Sequence, residues 1–336
     1  MRVAGLCARH AGIDRGRHDP YVRGSMSSQP LDPERQLSYR DIFIFWFPLG
    51  LMWLMMAVEQ PALNAVMARL ADAERNLAAF GVVWAISLVI ESPVIQMLAA
   101  ATAVADSREN YRLLLRFMHV MGLGLTAIHL VIGLTPLYGL IVTGLLNVPP
   151  DITEISRLPF IIMAPFAAAV GYRRLWQGAL IRHGKTWIVP VTMISRLLTM
   201  AVVLAIGFVL KPASGAVLGA IAQSIAVVAA MVASGVLNRI LVRPKLEREE
   251  TTDPYTWSRL LRFYIPLSLT TIVYLASQPM VTFGIARGIA PVKSLAVFPV
   301  VNAFLFLFTS VGMSYQEAAI ALLNRSPRSF PRLSRF

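Results

Sequence analysis

Long apolar stretches separated by short polar connectors dominate the chain. A helix needs about 20 predominantly apolar residues to cross a bilayer. Eight stretches meet that length or approach it: 42–66, 77–104, 117–142, 158–172, 187–209, 213–236, 261–284 and 294–322. The fourth is short and can borrow residues from Tyr172–Ile181. The pattern predicts an all-α, polytopic membrane protein. Composition agrees, because 56% of the residues are hydrophobic and 15% charged, with a mean hydropathy of +0.62. Soluble domains average nearer 45–50% apolar and about 25% charged. One cysteine, Cys7, excludes a disulfide scaffold.

Charge changes the picture by setting an orientation. The net charge of +13 points to membrane loops and not to nucleic acid, because cytoplasmic loops of membrane proteins collect Lys and Arg. With the N-terminus inside and the sides alternating, 24 of the 31 basic residues fall inside and 6 outside, with Arg196 left within span five. In this count Arg173 and Arg174 lie in the fourth, cytoplasmic loop, and Arg157 lies in an outside loop. The expectation is a bacterial inner-membrane protein with both termini cytoplasmic. Arginine supplies 27 of those basic residues and alanine is abundant, the usage of a GC-rich genome.

Residues 1–40 read as a basic arm without the apolar core of a secretory signal, and Met26 looks like a natural start. The tail, 323–336, has no acid and no helical pattern.

A gapless self-match organises what lies between. Phe45-Trp46-Phe47-Pro48-Leu49 aligns with Phe263-Tyr264-Ile265-Pro266-Leu267, a shift of 218 residues. In the same register Gln60-Pro61 meets Gln278-Pro279, and Ala68-Arg69 meets Ala286-Arg287. Between 45 and 85 there are 14 identities in 41 positions. Paired prolines, glutamines and arginines in one register mark a duplication. Six spans separate the two starts, so both copies share an orientation: a parallel repeat of the kind secondary transporters use. The domains expected are a six-helix lobe over 41–238, a linker over 239–259 and the first two helices of a second lobe over 260–322. A twelve-span architecture is expected from this repeat, which makes the chain read as C-terminally truncated.

The motifs resemble a known superfamily. FWFPLGLMWLMMAVEQPALNAVMARL (45–70), NLAAFGVVWAISLVIESPVI (76–95), LTPLYGLI (134–141), GYRRLWQGALIRHGKTW (171–187) and LLRFYIPLSLTTIVYLASQPMVTFGIAR (260–287) are similar to MATE-type exporters. Their wording is closest to bacterial relatives of the progressive ankylosis protein. The resemblance implies two six-helix lobes around a central cavity and export driven by H+ or Na+. It also leaves open organic or phosphate-bearing anions as a substrate class. MATE exporters commonly carry a functional carboxylate, often Asp, on the first helix; here the only acid after Asp41 in that span is Glu59.

Ionisable groups in a membrane are costly and mark function or structure by default. Glu59 in span one, beside Gln60, Pro61 and Asn64, is a candidate coupling acid or a partly hydrated structural one. Glu91 in span two precedes Ser92-Pro93, where a helix bends and frees a carbonyl. It reads either as an ion carrier or as the partner of Arg196. Gln60 and Gln278 are equivalent and could face each other across the lobes. Glu317 sits near the end of span eight, where an interfacial structural role is favoured. His119 and His129 are too far apart on one helix to share a metal, and each reads as a helix–helix hydrogen-bonder. His183 reads as a headgroup or phosphate contact.

No P-loop, CxxC, HExxH or GxSxG occurs. The reading is therefore not an enzyme, with no catalytic residue, metal or cofactor. The expected partners are membrane lipid, a small-molecule substrate and a coupling H+ or Na+. The leading expectation is a gradient-driven exporter of a small organic solute or drug-like compound. Within the superfamily, the rivals are a lipid-linked sugar flippase and an anion exporter. From other classes, the rivals are a membrane-embedded transferase and a non-transporting product.

Overall fold

The computed structural model describes residues 37–183, 185, 188–210, 214–246, 254–325 and 329–336. The expected basic arm therefore falls almost wholly outside the described residues. Among the described residues the chain is helical, with no strand. The helices are α1 (Tyr39–Met67), α2 (Ala73–Ile95), α3 (Met97–Val104), α4 (Arg108–Leu134) and α5 (Leu137–Gly139), the last continued by a π-helical turn, Leu140–Leu145. They continue with α6 (Pro150–Ile162), α7 (Phe166–Arg182), α8 (Ile188–Leu210), α9 (Gly215–Leu241) and α10 (Arg243–Leu246). The chain closes with α11 (Trp257–Ala286), α12 (Pro291–Arg325) and α13 (Phe330–Leu333). Among the described residues, eight helical segments are long and apolar enough to span a membrane, in the order expected from the hydropathy pattern.

Three boundaries differ from the sequence reading, each for a local reason. Span three ends at Leu134 and not at 142, because Thr135-Pro136 follows. Thr135 bonds the Val131 carbonyl through its hydroxyl and accepts the Leu137 amide, diverting the chain. Span four is longer than expected, a 33-residue run from Pro150 to Arg182 bent at Met163–Pro165. It takes Arg173 and Arg174 out of the loop and places them inside the bundle. It also takes Arg157 into α6, where Nε donates to the Gly133 carbonyl at 2.9 Å and Nη2 to that of Thr135 at 3.2 Å. That guanidinium caps the end of α4, whose last carbonyls have no helical donor.

The third difference is the tail, which is partly helical. α13 folds back so that Leu333, Leu322, Ile42 and Leu37 form a small apolar cluster. Ser329 accepts the Leu37 amide at 2.9 Å, and Arg332 donates to the Leu37 carbonyl at 2.9 Å. Tyr315 donates to the Leu333 carbonyl. Leu333 is the buried apolar residue of α13, and Pro331 suits a first helical turn.

The duplication is visible in the backbone. Shifted by 218, α1 falls on α11 and the start of α2 on the start of α12. The copies pack reciprocally: α1 against α12, α2 against α11, and α2 against α12. Trp46 of α1 donates its indole N–H to Ser314 of α12 at 3.0 Å. Its equivalent, Tyr264 of α11, donates to the Pro93 carbonyl of α2 at 2.6 Å. Gly81 and Pro299 are themselves equivalent positions, and they touch; a Cβ on Gly81 would sit 2.5 Å from Pro299 Cγ. A contact between equivalent residues locates the pseudo-twofold axis, between α2 and α12. The main core centres on α2, α6, α7 and α9, which pack together.

Candidate functional site

The first six spans enclose a polar cluster built on otherwise apolar helices. Ser38 starts α1 with a reciprocal capping box to Asp41. Five turns on, the helix buries Glu59. α8 is apolar along its buried face apart from Thr192 and Arg196. Arg196 Nε donates to Glu59 Oε1 at 2.7 Å, with both side chains about 95% buried. Arg196 Nη2 lies 3.5 Å from Gln223 Oε1 on α9, itself fully buried.

This corrects the pairing expected for Arg196. Its partner is Glu59, because α1 packs directly on α8. Glu91 stands apart from that ion pair. It is buried on α2 within electrostatic reach of Arg174, Arg196 and Arg173, and Glu59 adds repulsion. Arg173 is buried on α7, with Nη1 3.1 Å from Met193 Sδ.

The proline after Glu91 acts as expected on the backbone. Pro93 offers no N–H to the Val89 carbonyl, and Ser92 Oγ donates there instead at 2.6 Å. Asn64 Nδ2 donates to the Pro299 carbonyl across the pseudo-axis at 3.2 Å.

Several buried atoms find no hydrogen-bond partner among the described residues: Gln60 Nε2, Asn64 Oδ1, Ser87 Oγ, Arg173 Nε and Gln223 Nε2. Each orphan costs about 1–3 kcal/mol in a dry interior. Three of them are N–H donors on spans one, four and six, so the surplus is of donors.

Of the sequence candidates, the structure brings together Glu59, Arg196 and, at electrostatic range, Glu91. Gln60 and Gln278 are not brought together, since α1 and α11 are not a packed pair. Glu317 falls within α12, and its side chain lies outside the described residues. The histidines do bridge helices. His129 Nε2 meets the Phe160 carbonyl at 2.7 Å with the rings stacked, and His119 Nδ1 meets Tyr172 Oη at 2.8 Å. His183 Nε2 meets the Ala105 carbonyl at 3.1 Å, a backbone contact at the end of α3. Arg173 and Gln223 were missed as site residues. The signal was present for Arg173, since extending the short fourth stretch through Tyr172–Ile181 carries it into the span.

The fold and the buried polar core define the class: a multi-pass membrane protein of the MATE-type transporter fold. A solved structure described as the inward-facing conformation of a multidrug resistance MATE family transporter of the MOP superfamily is similar, with a TM-score of 0.57 at 12% identity. The match covers 86% of this chain and 69% of that one. The progressive ankylosis protein (ANKH) family model matches residues 32–296, and the chain belongs to that family. No curated protein matches it significantly.

Proposed function

We propose that the chain works as a gradient-driven, non-enzymatic exporter of a small organic solute, using alternating access about the α2–α12 axis. Glu91 takes up and releases the coupling H+ or Na+. Glu59 and Arg196 hold spans one and five together. The observation that carries this reading is the difference between the two acids. Glu59 is neutralised by a direct ion pair, whereas no described side chain closes an ion pair with Glu91. A buried carboxylate beside Ser92-Pro93, with no ion pair among the described residues, can bind and lose a small cation, and each change of charge alters how the helix is solvated.

The substrate class follows from the donor surplus. Three buried N–H donors, on Gln60, Arg173 and Gln223, find no partner among the described residues. That interior favours an organic or phosphate-bearing anion over a drug-like cation. The family and the fold support a transporter of this general kind.

The test is counterflow in proteoliposomes under an imposed proton or sodium gradient, comparing labelled organic anions with labelled cations. Glu91→Gln should abolish gradient-driven flux while insertion and thermal midpoint stay near wild type. Undiminished gradient-driven flux in Glu91→Gln would end the carrier role. Faster counterflow of cations than of anions would end the anion assignment.

A further inference from the structure

α7 presents different faces to its neighbours. Gly171 and Gly178 mark the side that lies on α2 and α3, since a Cβ on Gly171 would come within 3.1 Å of Val94 Cβ and one on Gly178 within 2.5 Å of the Leu98 carbonyl. Arg173 and Gln177, one turn apart, fall on the other side and reach α8. Gln177 Nε2 donates to Thr192 Oγ1 at 2.7 Å, so its polarity is answered. That of Arg173 is not. The residue is 3% exposed, Nη1 donates to a thioether, Met193 Sδ, and Nε finds no acceptor. No carboxylate among the described residues closes an ion pair with it.

Thioethers are weak acceptors, and buried arginines are ordinarily paired. The strongest charge acting on Arg173 is that of Arg196, ahead of Glu91 and Glu59. Arg196 is already held by Glu59, and Gln223, which turns its oxygen toward Arg196, keeps Nε2 without a partner. Glu91 is not the missing acid. The strongest charge on it is that of Arg174, which falls between Gly171 and Gly178 on the α2 side of the helix. The seam around Arg173 can also open, because α8 packs closely on α9 and α1 and only lightly on α7. Met193 is unbranched and can swing aside.

We propose that Arg173 anchors a single carboxylate of the carried solute in the seam between α7 and α8, the carboxylate displacing the Met193 thioether. The assignment rests on the anion reading above and narrows it. A carboxylate is planar and offers two oxygens and one charge, the match for one guanidinium fork. A phosphate monoester brings about 1.5–2 charges and three acceptor oxygens, more than one guanidinium answers. An arginine that only tied helices together would need an acid or a carbonyl on the facing helix, and α8 offers Arg173 a sulfur.

The experiment follows the thermal midpoint of the full chain in detergent at constant ionic strength. The probes are acetate with acetamide, benzoate with benzamide, and phenyl phosphate. Carboxylates should stabilise the wild type in preference to their amides and to phenyl phosphate. Arg173→Gln should weaken carboxylate binding by about 10- to 100-fold, the loss of a charge-assisted hydrogen bond, and leave amide binding unchanged. Arg173→Lys keeps the charge without the fork and should fall between. Without ligand, Arg173→Gln should melt no lower than wild type, because it removes a buried charge that no acid answers. Gln177→Ala should lower the midpoint yet keep the carboxylate preference, which separates damage to the seam from loss of the anchor. A wild type that binds carboxylates and amides alike ends the anion reading together with this one. A wild type that prefers carboxylates, with Arg173→Gln keeping that preference, ends only the anchor role. Preference for phenyl phosphate would keep the anion reading and overturn the carboxylate. A ligand-free Arg173→Gln that melts well below wild type would overturn the anchor in favour of a structural arginine.

Discussion

At position 59 of α1 stands a glutamate held by Arg196; at the equivalent position of α11 stands Ser277, whose hydroxyl donates to the Tyr274 carbonyl of its own helix. Glu91 of α2 likewise becomes Thr309 in α12, bonded to the Leu305 and Phe306 carbonyls of its own helix. The two copies thus keep a common backbone plan and divide the chemistry unequally. The reason lies in their neighbours. Two-thirds of the apolar window of α2 is buried, 67% with α3, against 22% for α12. Positions 59 and 91 are buried, whereas Ser277 and Thr309 are exposed. Among the described residues, no arginine answers a carboxylate placed at 277 or 309 as Arg196 answers Glu59, and an unanswered charge in hydrocarbon costs about 2.5–3.5 kcal/mol or more. A hydroxyl can satisfy itself on its own helix.

The largest expected effect follows from breaking that asymmetry at the ion pair. Glu59→Gln or Arg196→Gln leaves one buried charge without its partner and should cost about 3–5 kcal/mol. Purified yield and thermal midpoint in detergent report it. The double variant should recover most of the loss, because no bare charge remains. Ser277→Ala, at the equivalent position, should stay within about 0.5 kcal/mol. A single variant as stable as the double one would remove the ion pair as the reason for the asymmetry.

Next in size is the pseudo-axis. Gly81→Ala drives a methyl to 2.5 Å from Pro299 Cγ, on a rigid ring that cannot swing away. Overpacking of this kind costs about 1–3 kcal/mol. Adding Pro299→Ala should return part of it, and the cycle of four proteins measures the contact between equivalent positions. Gly124→Ala is the control, since nothing lies within 4 Å of its Cβ. There the gain in helix propensity is up to about 1 kcal/mol, and a thermal shift of opposite sign to that of Gly81→Ala is expected.

Much of this was legible in the sequence, and the division is physical. Eight spans, the duplication and its register follow from hydropathy and from matched prolines, which are local signals. The register held to the helix ends, since Tyr39 and Met67 shifted by 218 fall on the first residue of α11 and the last but one. Pairing was harder to read. Glu91 was the only partner read for Arg196, because spacing along the chain does not say that α1 lies on α8. Arg173 and Arg174 were assigned to a loop for a different reason. Two adjacent charges end an apolar window, although a helix that buries one face can carry them and run on to Arg182, about 15 Å past the expected edge at 172. The α13 turn was missed because four residues are too few to show a period.

The smallest difference is the most local. Ser92 and Ser310 are equivalent, both buried, and each donates to the carbonyl three residues before it: Val89 at 2.6 Å and Leu307 at 2.7 Å. The following residue separates them, Pro93 in one copy and Val311 in the other. Val311 has the amide that a helix delivers to the Leu307 carbonyl, so Ser310 Oγ only adds a second donor. Pro93 has none, so Ser92 Oγ replaces the missing one. Ser92→Ala should therefore cost about 1–3 kcal/mol, the penalty of a buried unsatisfied carbonyl. Ser310→Ala should cost no more than about 0.5 kcal/mol. Pro93→Ala in the Ser92→Ala background restores the amide and should return most of the loss, read as thermal midpoint in one detergent. If Ser92→Ala and Ser310→Ala shift the midpoint equally, the hydroxyl is not replacing the proline's missing donor.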